Sequence, residues 1–319
     1  MSCGFDIVSQ QDEELARRLA EALTSYEASL GRLPGIQSDA RRRSLIRQLI
    51  ASDRRNRYVN HVVHADLSPV RLDPSSGRFD PLKAAVLCNR AGEADEAFWM
   101  LFLFVHFGRH RVAGYRYAAD VYLRLDSRDR WSWIEVSNDV EGFRDWMDAN
   151  AQAVRAPGGP HGFGNHRKYE SLSGWSSAGT GAVVASYVEW VGSTLTHETN
   201  FAAAAAAANG DPSIAFDILF RSMSAIARFG RLARFDYVSM AGKLELANVR
   251  SGRAYLVGST GPLKGARLLF GPQAAHTPAA TLDEPLIELE HYLAVGFDTI
   301  EDALCNWEKS PAVFKPFRG

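Results

Sequence analysis

Apolar residues recur along most of this chain at helical spacing, with little of the strict alternation that marks a half-buried strand. Leu15, Leu19, Leu23 and Tyr26 follow Asp12 at steps of three and four, and Leu45, Ile46, Leu49 and Ile50 repeat the pattern, so two helices open the chain. Residues 66–78 are polar, contain proline and read as a loop. Residues 81–89 and 94–107 then read as core helices, the first begun by a proline whose missing amide costs nothing there. Residues 115–125 fit helix and strand equally, and 140–149 form a short helix that ends before Pro157. A Gly- and Ser-rich loop over 157–181 precedes helices at 182–193, 200–208, 214–229 and 232–246. The alanines from Ala202 to Ala208 are a helix-propensity signal, not a repeat. The expected fold class is all-α. The expected organisation is a helical segment over 1–78 and a larger domain over 79–319, packed as one body.

Composition narrows the classes. With 46% hydrophobic and 23% charged residues the chain matches a soluble globular protein, and residues 98–108, its longest apolar run, are too short to span a bilayer. The N-terminus lacks the basic-then-apolar order of a secretion signal, which points to the cytoplasm. Cys3, Cys88 and Cys305 have neither metal nor disulfide spacing, and the histidines show no ligand motif, so no metal and no cofactor are expected. The net charge of −1 argues against indiscriminate coating of nucleic acid. Cations nevertheless cluster, at Arg41, Arg42, Arg43, Arg47, Arg54, Arg55 and Arg57, at Arg109, Arg111 and Arg116, and at Arg228, Arg231 and Arg234, while acids concentrate at 12–14, 93–96 and 284–302. That polarity permits one positive face for DNA; solvated helix faces are the plainer alternative.

Three segments carry candidate chemistry. Residues 253–292 read as a helix, a Gly/Pro hairpin with Lys264, a second helix through Ala266, Leu268 and Leu269, and Asp283 opening a third. A hairpin from Gly258 to Gly265, through Thr260, Gly261 and Leu263, would turn backbone amides toward a phosphate, because unpaired N–H groups and the helix dipole both favour an anion. The plainer alternative is a helical hairpin with a solvated lysine and an N-capping aspartate before Glu284 and Pro285. The second segment, residues 161–175, is a long loop in which Arg167 and Lys168 suit phosphates, Tyr169 or Trp175 suits stacking on an extruded base, and Asn165, His166 and Glu170 suit its polar edge. Tyr169 and Trp175 also suit simple anchoring of the loop. In the third, Arg228, Arg231 and Arg234 fall on one helical face, and Asp236 is either a second acid at the site or a partner of Arg234 or Lys243. His197 and Glu198 are a weaker pair of candidates.

The order hairpin, Lys264, helix, Asp283 resembles the helix-hairpin-helix DNA glycosylase superfamily. There the aspartate is catalytic, and the lysine occurs only in bifunctional members. More closely, FGNHRKYESL from Phe163, RFGRLARFDYVSM from Arg228 and GSTGPLKGARLLF from Gly258 resemble the α-glutamyl/putrescinyl thymine pyrophosphorylase family, clade three. The likeness covers the last half to two thirds of the chain. It implies a glycosylase-like fold of two helical lobes with a cleft, DNA as partner, and action on hypermodified bases of phage DNA. On that implication Asp283 would stabilise positive charge at the sugar carbon, and Lys264 would attack the same carbon to add strand cleavage. The function expected is a DNA glycosylase that excises a hypermodified phage base, such as glucosylated 5-hydroxymethylcytosine or a modified thymine, in antiphage defence. Two alternatives stand beside it. One is a biosynthetic enzyme that replaces the pyrophosphate on pyrophosphorylated 5-hydroxymethyluracil in DNA by an amine; the other is a non-catalytic reader of modified DNA.

Overall fold

A computed structural model describes residues 9–125, 127, 129–155 and 162–316. The α-helices in chain order are α1 Gln10–Leu30, α2 Asp39–His64, α3 Pro81–Arg90, α4 Ala94–Phe107, α5 Arg116–Tyr122, α6 Trp133–Asn138, α7 Val140–Val154, α8 Thr180–Val191, α9 His197–Ala207, α10 Pro212–Ser222, α11 Arg231–Lys243, α12 Gly261–Phe270, α13 Ala279–Leu293 and α14 Phe297–Trp307. Among the described residues no strand forms, only the isolated bridges His110 to Gly114 and Ser171 to Gly179. The protein is all-α, as its hydrophobic period requires. Caps mark several starts: Ser9 accepts from the Asp12 amide, Asp80 from those of Leu82 and Lys83, and Asp211 from those of Ser213 and Ile214. No helix among the described residues is long and apolar enough to cross a membrane.

The chain divides into two compact units, one of residues 9–58 with 251–316 and one of residues 59–250. In the first unit the stripe read from the sequence is buried as expected, with Leu19, Leu23, Tyr26, Leu45, Ile46, Leu49 and Ile50 joining Leu269, Leu286, Leu289, Leu304 and Trp307 in one core. Each such leucine withdrawn from water contributes about 1.5–3 kcal/mol. Helix α12 packs tightly on α14 because two small residues one turn apart face it. A Cβ on Gly261 would reach the Cys305 side chain, and one on Gly265 would collide with the Leu304 carbonyl. Gly265→Ala is therefore expected to destabilise this unit by about 1–3 kcal/mol, read as a lower denaturation midpoint in urea with an unchanged slope.

Two expectations fail in this unit. Residues 253–257 are not helical: Tyr255 adopts φ 51°, and the chain crosses the core in an irregular path with Ala254, Tyr255 and Leu256 all buried. Asp283 does not open a helix either. Helix α13 begins four residues earlier, after Pro278, and runs on through Pro285.

The second unit is built on α4. Phe98, Trp99, Met100, Leu101, Phe102, Leu103, Val105, His106 and Phe107 are all buried, which is the fate of a helix apolar on every side. Helices α3, α5, α6, α9 and α11 pack around it. The ambiguous stretch 115–125 resolves as α5. The single helix expected over 214–229 breaks: α10 ends at Ser222, one 3-10 turn follows at Met223–Ala225, and Arg228 adopts φ 60°. Arg228 is consequently not on a helical face with Arg231 and Arg234. Its guanidinium instead forks onto Glu170, with Nε and Nη2 donating over 3.1 and 3.3 Å.

Candidate functional site

Of the long loop, His161 and the Asn165 side chain lie outside the described residues. The remainder is pinned to the second unit by named contacts. The Gly164 amide donates to the Phe107 carbonyl over 2.7 Å, and a Cβ on Gly164 would come within 2.8 Å of Gly108, so only glycine approaches there. A 3-10 turn over Asn165–Arg167 then presents Arg167, whose Nε donates to the Val105 carbonyl over 2.9 Å and whose Nη2 donates to Asp236 over 3.4 Å. The loop is thus clamped by two arginines, Arg167 onto α4 and α11, and Arg228 onto Glu170. Its two aromatics part company. Trp175 donates from Nε1 to Asp145 over 2.8 Å and carries the Arg144 guanidinium 3.9 Å above its ring, so it anchors the loop to α7. Tyr169 is 79% exposed at the tip with the Lys168 ammonium 5.0 Å from its ring, a sequence-tolerant stacking surface beside a cation.

Asp236 on α11 lies beneath that loop. Its side chain keeps 40% of its surface open, with the Arg167 guanidinium against one carboxylate oxygen. Burial raises its pKa above the ordinary carboxylate value, and the charges of Arg167, His166, Arg231 and Lys243 pull it back in part. Lys243 is two turns along the same face of α11, which explains why it shares this acid. Arg231 is almost wholly buried over the Phe235 ring. Arg234 leaves the group: its Nη1 donates to the Phe220 carbonyl over 3.3 Å, and its guanidinium sits 4.6 Å from the Phe220 ring. Chemically, the arrangement sets one carboxylate, able to accept a proton, among cations suited to a phosphorylated group.

Behind the loop, His106 stacks on Phe102, and its Nε2 lies 2.9 Å from the Thr180 hydroxyl. Thr180 spends its own proton on the Ser171 carbonyl over 2.8 Å, so His106 donates from Nε2. Burial, with the charge of Arg167 second, pulls its pKa down to about 3. It is a neutral core histidine that ties the loop's Ser171 end to α4.

The hairpin candidates fall in the first unit. Lys264, Gly258 and Thr260 are exposed, whereas Gly261 and Gly265 face α14 and Leu263 packs on the core. Asp283 is 4% exposed, and its Oδ1 accepts from the Leu256 amide over 3.4 Å. No ion pair joins it to Lys264 among the described residues. The carboxylate thereby holds the irregular segment at Tyr255 in place. The arginine-rich run of α2 is likewise occupied within its own unit: Arg42 pairs with Glu27 at 2.6 Å, Arg54 and Arg57 with Asp12 at 2.6 and 2.5 Å, and Arg55 with Asp302. In the second unit Arg109, Arg111, His166 and Lys168 are exposed on the loop and on the turn beside it.

The sequence offers Arg167 and His166 in one segment and Arg231 and Asp236 in another, and does not show that they share one carboxyl. It also missed a buried chain that joins Asp95, His197, Tyr187 and Tyr237. His197 and the acids around Asp95 stand far apart in the sequence, and a pairing across 102 residues leaves no local signal.

Fold and site first define a class: an all-α protein that sets a carboxylate among cations under an arginine-clamped loop. The chain belongs to the alpha-glutamyl/putrescinyl thymine pyrophosphorylase clade 3 family, whose model matches residues 40–319. The match spans the whole second unit and the first from α2 onward, further than the three sequence motifs had indicated. The family is related to the biosynthesis of modified thymine and acts on modified bases of DNA. No curated protein and no solved structure matches the chain.

Proposed function

We propose that this protein exchanges the pyrophosphate of a pyrophosphorylated 5-hydroxymethyluracil in DNA for an amine. The observation that carries this reading is the partly open Asp236 carboxylate, bonded to Arg167 over 3.4 Å and within the field of His166, Arg231 and Lys243. The reaction needs both halves of that arrangement. The incoming amine nitrogen forms a bond to the exocyclic methylene carbon, the bond from that carbon to the pyrophosphate oxygen breaks, and pyrophosphate leaves with the bonding pair. Cations stabilise the departing anion, and a carboxylate takes the proton that an ammonium nucleophile must lose. The target base has to leave the stack to reach this carboxylate, and Tyr169 with Lys168 on the loop tip suits the disturbed strand beside it.

Excision of the base, the activity expected from the glycosylase resemblance, requires a carboxylate beside the sugar carbon. Asp283, at 4% exposure, is poorly disposed for that, and Asp236 is the more open acid. One assay separates the readings. An oligonucleotide bearing pyrophosphorylated 5-hydroxymethyluracil is incubated with the protein and a primary amine, followed by pyrophosphate release and nucleoside mass spectrometry. Exchange yields one pyrophosphate per modified base and an aminated nucleoside. Abasic sites without pyrophosphate release would replace exchange by excision, and tight binding without product would leave only a reader.

A further inference from the structure

Four helices of the second unit meet in one buried hydrogen-bonded chain. Asp95, in the first turn of α4, accepts with Oδ1 from both the backbone amide and Nδ1 of His197, the first residue of α9, each over 2.7 Å. The other ring nitrogen, Nε2, lies 2.6 Å from the hydroxyl of Tyr187 on α8, and that hydroxyl lies 2.7 Å from the hydroxyl of Tyr237 on α11. His197, Tyr187 and Tyr237 are fully buried. Phe98 stacks on the imidazole at 4.9 Å and Phe102 on the Tyr187 ring at 4.1 Å, so no water competes for these groups.

The protons in this chain run one way. Burial lowers the His197 pKa despite Asp95, which keeps the ring neutral, and Asp95 claims the hydrogen on Nδ1. Nε2 must then accept from Tyr187, whose oxygen in turn accepts from Tyr237. Every group is satisfied only if α4, α8, α9 and α11 keep their mutual places, and a fully satisfied buried network specifies one arrangement of its elements. Asp95 is itself one third open to solvent, in a recess of about 480 Å³ lined by Glu93, Trp133, Ile134 and Leu195.

Tyr237 directly follows Asp236 on α11. We infer that the chain from Asp95 to Tyr237 is the brace that holds this turn of α11, and that Tyr237 is a positioning residue for the Asp236 carboxylate. The inference rests on the reading of Asp236 as the working acid of the proposed exchange. Without the brace, the turn relaxes toward solvent and the carboxyl loses both its enclosure and its fixed distance from Arg167. His166, Arg231 and Lys243 are the other charges that act on this carboxyl, and none of them is substituted in the variants below.

The test uses the full chain with 13C-labelled aspartate and follows the Asp236 carboxyl by NMR as pH is varied, assigned by its loss in Asp236→Asn. In Tyr237→Phe, and in Tyr187→Phe, which breaks the chain from α8 and leaves the sequence of α11 unchanged, the midpoint should move down toward the ordinary carboxylate range. Tyr122→Phe removes another buried hydroxyl of the same unit, one that donates to Glu96, and should leave the midpoint where it was. An unmoved midpoint in both chain variants, or an equal shift in Tyr122→Phe, overturns the inference. In the exchange assay, Tyr237→Phe should lower kcat about ten- to a hundredfold with little change in KM, and should cost nothing further in the Asp236→Asn background. The titration stands apart from catalysis, so a protein without exchange activity refutes the proposed function and leaves the brace to be judged by the midpoint alone.

Discussion

Asp236→Asn is expected to lower kcat for amine exchange by about 10²–10⁴-fold, the usual worth of a positioned base, while the protein stays folded. Asparagine has nearly the same shape and still accepts from Arg167, but it cannot take a proton. The sign of the pH dependence follows from the direction of the shift. Burial raises the folded-state pKa of Asp236 above its unfolded value, so the wild-type rate climbs with pH through a midpoint above the ordinary carboxylate range. The same shift makes the ionised carboxyl unfavourable to folding: the stability it contributes is present below the unfolded pKa and is lost as pH rises through the folded one. At neutral pH Asp236→Asn should therefore melt at the same temperature as wild type or higher. Wild-type exchange rates in the variant, or a steep loss of thermal stability, would remove Asp236 from the chemistry.

Asp283 is expected to behave the opposite way. Asp283→Ala strands the Leu256 amide in a dry core and releases the Tyr255 turn, a loss of about 1–3 kcal/mol for the unpaired donor alone. Asp283→Asn keeps a carbonyl oxygen for that amide and should lose less. Thermal melts of both variants, read beside the exchange rate at a temperature where each is folded, separate the two roles this acid can hold. A supporting acid gives lower melting temperatures with near-normal rates. A catalytic acid beside a sugar carbon gives Asp283→Asn with normal stability and no product, and that result would return the site to the hairpin.

The contrast between these two aspartates shows why the candidate site was only partly legible. Both stand in motifs that resemble one family, and by spacing alone Asp283, set before Glu284 and Pro285, looks like the more exposed cap. Whether a carboxyl stays partly open or lies under a strained segment depends on what the rest of the chain packs over it. Residues 253–257 illustrate the same limit: an apolar run of that length suits a helix by composition, yet Tyr255 turns to φ 51° and the Leu256 amide goes to Asp283. Arg228 lies off the expected helical face because α10 ends at Ser222 and Arg228 itself turns to φ 60°, which leaves its guanidinium to Glu170. The glycines of the hairpin suit a phosphate by motif, whereas two of them serve the close approach of α12 to α14.

What the linear order of residues determined by itself is the all-α class, most of the helices in their places, and membership of the family. These depend on periodicity, caps and short motifs, whose physical causes act within a few turns of chain. What only the tertiary structure decided is which charges act on one carboxyl, which histidines are neutral, and which hydroxyls close a chain across four helices. Those depend on desolvation and on contacts between residues a hundred positions apart, and neither quantity exists until the chain has folded.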